Sequence, residues 1–270
     1  MTYKQKPTDT TDTKVLLVIA GFDPSGGGGL LADGRCVAGM PIHMMAATTA
    51  LTVQNSRHVL SLHPVDPKVV EKQIITCAEE CAIDAIKCGM LFGPETVRAV
   101  ARALRTIDPD RRIPLVLDPV LKSTTGASLS QDSLGEAILH SLLPHATLIT
   151  PNLPEAEHLT KIAISDDDAL MRSARKILNY SAKAVLITGG HARGAMVTDS
   201  LFLPDGSIKT YTAPRINRGR IRGTGCMLSS GIAARLALGQ GLTDAVNNAH
   251  DALQQRLVQT SLHGKEALIL

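Results

Sequence analysis

The sequence predicts an α/β fold in which a mostly parallel sheet is covered by helices on both faces. Three observations carry this reading. Short apolar, β-branched runs recur along the chain, amphipathic helical stretches separate them, and most runs stop at Gly, Pro or Asp. Buried parallel strands read as continuous apolar runs because both of their faces meet helices.

Val15-Leu16-Leu17-Val18-Ile19-Ala20 is the first strand, followed by a Gly-rich turn and a helix from about Leu30. Ala50-Leu51-Thr52-Val53-Gln54-Asn55-Ser56 ends a strand with two amides, Gln54 and Asn55. A further strand covers residues 85–90, with a helix over 94–104. The run at 114–118 is closed by Pro119, that at 147–150 by Pro151, and that at 184–188 by Gly189-Gly190. Two shorter strands then cover 196–203 and 207–212, joined by Pro204-Asp205-Gly206, and Asp-Gly in a short connection signals a hairpin. Two helices, over about 225–238 and 243–262, close the chain. Asp23, Asp118, Asn152, Glu155 and His191 all follow strand ends, so the topology gathers them on one rim. Ligands of open parallel sheets bind at that rim.

Composition narrows the function classes. The chain has 270 residues, 44% hydrophobic, enough for one large α/β domain. Its longest apolar run is strand-sized, so no membrane span is expected. The first thirteen residues are polar and lack an apolar signal core; they are expected to form a disordered leader before a single domain over 14–270, in the cytoplasm. The net charge of +3 suits an anionic small ligand, while 2% aromatic residues and no Trp leave few stacking platforms for nucleic acid. Of the five cysteines, only Cys77 and Cys81 lie close in sequence; no His or second pair completes a metal set, so reduced thiols are expected.

Four segments carry chemistry. In Arg222-Gly223-Thr224-Gly225-Cys226, two glycines precede a helix, so backbone N–H groups can converge where the macrodipole favours an anion. A phosphoryl group in transfer is such an anion. Cys226, in the first turn, is expected to have its thiolate favoured by the same field and to serve as base toward a hydroxyl. A Gly-rich helix entry with a buried small residue explains the same spacing. Gly21-Phe22-Asp23-Pro24-Ser25 followed by four glycines is neither a Walker loop nor a dinucleotide fingerprint. It points to close approach of backbone to a ligand or a second segment, with Asp23 at the strand end. In Thr150-Pro151-Asn152-Leu153-Pro154-Glu155, Asn152 and Glu155 either form a capping box or organise Mg²⁺ around nucleotide phosphates, with Asp118 adding a carboxylate. Gln54 and Asn55 suit the edge of a heteroaromatic ring or a turn equally.

Taken in order, these segments resemble the hydroxymethylpyrimidine/phosphomethylpyrimidine kinases of thiamine biosynthesis, within the ribokinase-like superfamily. The marks run from Ala20-Gly21-Phe22-Asp23-Pro24-Ser25-Gly26-Gly27 through Thr52-Val53-Gln54-Asn55, Lys87-Cys88-Gly89-Met90-Leu91 and Leu117-Asp118-Pro119-Val120. They continue through the Asn152 segment, Gly189-Gly190-His191, Tyr211-Thr212-Ala213-Pro214-Arg215 and Gly223-Thr224-Gly225-Cys226. The resemblance implies a three-layer α/β/α kinase that uses ATP and Mg²⁺ and assembles as a homodimer. Its implied substrate is 4-amino-5-hydroxymethyl-2-methylpyrimidine, then the monophosphate. It implies a ring pocket of Asp23, Gln54 and Met90, an anion hole of Gly223 and Gly225, and Cys226 as base. Asp118, Asn152 and Glu155 would hold metal and phosphate.

The chain departs from the family beside the expected phosphate path. Arg220-Ile221-Arg222 stands where the family usually has Asn-Thr-His, and Thr188 where it has Lys. Ser123-Thr124-Thr125-Gly126-Ala127 replaces Ala-Lys-Ser-Gly-Asp, and Leu31-Ala32-Asp33 replaces Gln-Ala-Asp. Arg220 and Arg222 are expected to restore positive charge toward phosphate, beside Thr188 and Thr224. Two other readings remain: a related kinase for pyridoxal-type rings, and a degenerate paralogue that binds pyrimidine or nucleotide without turnover.

Overall fold

The computed structural model describes residues 13–121, 133–190, 194–216, 221–259, 261–263 and 266–268. Residues 1–12 of the expected 1–13 leader, His191, Arg220 and the 123–127 loop lie outside the described residues.

The chain runs β1 (Lys14–Phe22), α1 (Gly29–Val37), β2 (Ile42–Gln54), β3 (Val59–Pro64), α2 (Pro67–Glu80), β4 (Ala85–Cys88) and α3 (Pro94–Ile107). It continues through β5 (Leu115–Leu117), α4 (Leu134–Ala137), β6 (Leu148–Ile149), α5 (Leu153–Thr160), α6 (Asp167–Leu178), β7 (Val185–Ile187), β8 (Met196–Phe202) and β9 (Ile208–Pro214). Last come β10 (Ile221–Arg222), α7 (Thr224–Ala237), α8 (Leu242–Val258), β11 (Ser261–His263) and β12 (Glu266–Leu268).

Nine strands form one sheet in the order β3-β2-β1-β4-β5-β6-β7-β8-β9. The six from β2 to β7 are parallel, while β3, β8 and β9 pair antiparallel at the edges. The expected hairpin of β8 and β9 is present. β1 shows why the layers form. Val15, Leu17 and Ile19 point into a core with Val70 and Ile74 of α2 and Val97 and Val100 of α3. Leu16, Val18 and Ala20 point the other way, against Leu30 of α1, Leu228 and Ile232 of α7, and Val246 of α8. Each such side chain, fully buried, contributes about 1.5–3 kcal/mol. The result is the expected three-layer α/β/α arrangement, with a mostly parallel sheet between two helical layers.

Two expectations change. The last helix stops at Val258, because Ser261–His263 pair with β12, which itself pairs with β10. The strand ending at Gln54 begins at Ile42 and forms a hairpin with β3 that the sequence reading did not anticipate. Among the described residues no helix is long and apolar enough to cross a membrane.

Candidate functional site

The carboxyl ends of the parallel strands hold the candidate site, and α7 points its N-terminus at them. At one end, Asp23 follows β1 with its side chain 3% exposed. Its Oδ1 accepts from the Ser25 backbone N–H at 2.9 Å and from Ser25 Oγ at 2.6 Å, which ties the start of the Gly-rich loop to the carboxylate. Arg222, 4% exposed, places Nη2 3.2 Å from Asp23 Oδ2 and donates to Gln54 Oε1 at 3.4 Å. Its Nη1 donates to Ser25 Oγ at 3.0 Å and to the Asn55 carbonyl at 3.4 Å. Met90 lies nearby, buried with Ala50, and a Cβ added at Gly21 would stand 2.9 Å from its Sδ. Asp23, Gln54 and Met90 therefore share one end of the rim. Arg222, expected on the phosphate side, reaches back to that end, because its charge finds a buried carboxylate there.

The Gly223 turn adjoins this end. Gly223 takes φ +78° as the residue before α7, and a Cβ there would lie 2.6 Å from the Gly27 carbonyl oxygen. Only glycine fits this close approach in a left-handed conformation. No side chain caps the helix, so Thr224, Gly225 and Cys226 in its first turn face the rim with backbone dipoles. Beneath them, Lys87 of β4 is fully buried, with Nζ 2.9 and 3.1 Å from the two oxygens of Asp33 on α1. Ser230, one turn beyond Cys226 on α7, donates to Asp33 Oδ1 at 2.7 Å. Burial pulls the Lys87 ammonium toward neutrality, but Asp33, then Cys226 and Asp118, overcome it and raise its pKa.

The expected thiolate at Cys226 is not the resting form. Although the residue is half-buried, desolvation pushes its thiol up to about 12. Lys87 opposes that rise, Asp33 and Asp118 add to it, and a Gly29 N–H lowers it slightly. The helix field loses to desolvation.

On the far side of the turn, Ser229 Oγ lies 3.1 Å from Asp118 Oδ2, and a Cβ at Gly225 would stand 3.8 Å from the same oxygen. Asn152 and Glu155 form the reciprocal capping box of α5: Glu155 N–H donates to Asn152 Oδ1 and Asn152 N–H to Glu155 Oε2, each at 3.0 Å. Burial first, then the Asp118 charge, pushes Glu155 up to about 8, against the backbone donors of Asn152 and Leu121. Asp118 is raised too, by burial, with Lys87 opposing. Thr188 bridges to Asn152, its N–H donating to the Pro151 carbonyl at 2.9 Å.

Among the described residues, no group of three or more His, Cys, Asp or Glu is placed to hold a metal. Two buried carboxylates whose charges oppose one another nonetheless suit Mg²⁺, which binds through one or two carboxylates together with phosphates. Asp118 and Glu155 fit that pattern.

The sequence reading left Lys87, Asp33, Ser229 and Ser230 without roles. Lys87 had one signal: a charged residue inside an otherwise apolar strand.

The chain is similar to known proteins in sequence and in fold. The family described as phosphomethylpyrimidine kinase matches residues 23–269. A hydroxymethylpyrimidine/phosphomethylpyrimidine kinase from Haemophilus influenzae is 38% identical over 245 residues, covering 89% of this chain and 90% of that one. The crystal structure of a phosphomethylpyrimidine kinase from Clostridium difficile superposes with a TM-score of 0.78 at 34% identity, covering 90% of this chain and 98% of the other. A pyridoxal kinase from Staphylococcus aureus, in complex with AMP-PCP and pyridoxal, superposes with a TM-score of 0.84 at 26% identity, covering 95% and 92%.

Proposed function

The chain belongs to the phosphomethylpyrimidine kinase family, and from that premise we propose that it transfers the γ-phosphoryl group of ATP to 4-amino-5-hydroxymethyl-2-methylpyrimidine, its monophosphate, or both. One observation carries the reading. Within four consecutive residues, Arg222 to Gly225, the chain passes from Asp23 and Gln54 to the edge of Asp118. A ring held at one end would thus present its hydroxymethyl group to the turn, with the nucleotide phosphates arriving from the other.

In this assignment Asp23, Gln54 and Met90 form the ring pocket. Gly223, Thr224 and Gly225 supply donors for the transferring phosphoryl group, whose negative charge needs fixed dipoles. Cys226 faces the hydroxyl and, once its own thiol proton has passed to solvent, takes the hydroxyl proton as thiolate, the form that the Lys87 charge behind it favours. Asp118 and Glu155 would hold Mg²⁺, and Asn152 and Thr188 would line the nucleotide side. Bound there, the metal would neutralise phosphate charge. Residues 14–270 act as one kinase domain, working as a homodimer in the cytoplasm.

A second reading, a pyridoxal-type kinase, is favoured by one observation: the TM-score to the pyridoxal kinase exceeds that to the pyrimidine kinase, 0.84 against 0.78. Sequence identity points the other way, 34% against 26%. The deciding experiment measures ADP release with the pyrimidine alcohol, its monophosphate and pyridoxal, with Cys226→Ala as control. Turnover of a pyrimidine substrate supports the proposal. Turnover of pyridoxal alone would replace it with the second reading, and tight binding without ADP release would make the chain a non-catalytic paralogue.

A further inference from the structure

Arg222 sits where the ring is to be read. Its backbone adjoins Gly223, yet its side chain runs away from the phosphate turn and donates to acceptors on Asp23, Ser25, Gln54 and Asn55. Two of those contacts, to Gln54 and Asn55, measure 3.4 Å, beyond the ordinary range of about 2.7–3.2 Å for N–H···O bonds, and that to Asp23 lies at its upper edge, 3.2 Å. A ring that claims Asp23 and Gln54 must displace this guanidinium. The displaced cation, 4% exposed at rest, would lose the carboxylate of Asp23, and a buried charge is costly to separate from its counter-charge unless another anion takes that place. A neutral alcohol brings none. A phosphomonoester carries its own, on the substituent that points toward Gly223, and a guanidinium binds phosphate oxygens through two parallel donors.

Resting on the pyrimidine-kinase reading of this site, we propose that Arg222 is a specificity-determining residue. Released from Asp23 and Gln54 by the incoming ring, it binds the phosphate of an already phosphorylated substrate, and so favours the phosphomonoester over the free alcohol.

The test compares kcat/KM for the two substrates at saturating ATP in the wild type, Arg222→Gln, Arg222→Lys and Gly27→Ala. The wild type should prefer the phosphomonoester. Arg222→Gln should lower the ratio of phosphomonoester to alcohol by about tenfold or more, as expected for loss of a charged bidentate contact. Arg222→Lys keeps the charge but not the fork and should fall between the two. Gly27→Ala keeps the arginine but would place a Cβ 2.7 Å from its Nη1, pushing the guanidinium off its seat; the phosphomonoester preference should persist or grow. If Arg222→Gln shows no thermal unfolding transition, Arg222→Lys and Gly27→Ala carry the comparison. Equal losses on both substrates in Arg222→Gln, or an unchanged ratio in Arg222→Lys, overturn the inference while leaving the kinase reading intact. A wild type that consumes ATP with neither substrate overturns both.

Discussion

Replacing Lys87 with methionine tests the electrostatic base of the site. Methionine fills a similar volume, so the change is mainly the loss of one charge and its hydrogen bonds. Lys87 is fully buried and bonds both oxygens of Asp33, at 2.9 and 3.1 Å, leaving Asp33 as a buried carboxylate supported by Ser230 once the ammonium is gone. Removing one partner of a buried ion pair costs about 3–5 kcal/mol. Unfolding entropy near 2.1 cal/mol/K per residue gives about 0.6 kcal/mol/K for a chain of this length, so Tm should fall by about 5–9 °C. Combining Lys87→Met with Asp33→Asn removes both charges and leaves Ser230 an acceptor, so most of that loss should return. Differential scanning calorimetry at pH 7.5 measures all three variants against the wild type. A Tm drop under about 2 °C in Lys87→Met, or a double variant no better than the single one, would refute the reasoning. Activity should fall further than stability accounts for, because the charge that favours the Cys226 thiolate is lost.

Cys226→Ala should lower turnover by about 10²–10⁴-fold with little change in Tm, as for loss of a general base, and ADP release at saturating substrate measures it. With its thiol pushed up to about 12, Cys226 should react with iodoacetamide at pH 7.5 at least about tenfold more slowly than free cysteine, read by mass spectrometry of the modified peptide. Gly223→Ala forces a side chain into φ +78° and within 2.6 Å of a carbonyl oxygen; the turn must shift, and kcat/KM should drop by about 10²-fold, the scale of an ångström-sized misplacement. Glu155 gives a pH signature. Its folded pKa of about 8 lies above its ordinary value, so the folded state holds the extra proton and stability falls as pH rises from about 4.5 through about 8. Glu155→Gln keeps the acceptor for Asn152 and should flatten that fall, seen in Tm measured from pH 5 to pH 8.5.

How much of this was legible beforehand follows from range. Continuous apolar runs such as 15–20 and 184–188 announce central strands, because both faces are covered. The strand from Ile42 to Gln54 gives no such signal: Leu51 and Val53 are exposed and its burial follows no regular period. The helix expected to reach Leu262 ends early because partners elsewhere in the chain, not local pattern, set its end. The site divides the same way. The two residues of the Asn152–Glu155 box lie three apart, so it can be read directly. Arg222 and Asp23 are 199 residues apart, Ser230 and Asp33 197, and Ser229 and Asp118 111. No local spacing could place those pairs, and so nothing near Arg222 in the sequence tells that its side chain rests against Asp23.

The error at Cys226 is one of magnitude. A helix N-terminus stabilises an adjacent anion by about 0.3–1 kcal/mol, whereas burying a thiolate can shift its pKa by several units, each worth about 1.4 kcal/mol. A turn with such a field therefore cannot hold a charge of its own at rest. It can receive one that arrives with its countercharge. The carboxylates of the site are arranged accordingly. Asp23 and Asp33 are already matched by Arg222 and Lys87, while Asp118 and Glu155 are held above their ordinary pKa range. A nucleotide bringing Mg²⁺ would supply cation to the second pair and phosphate to the turn together. The resting site is thus matched in charge where the ring would bind and short of one cation where the phosphates would enter, which would order the charge around Cys226 only when the substrates are in place.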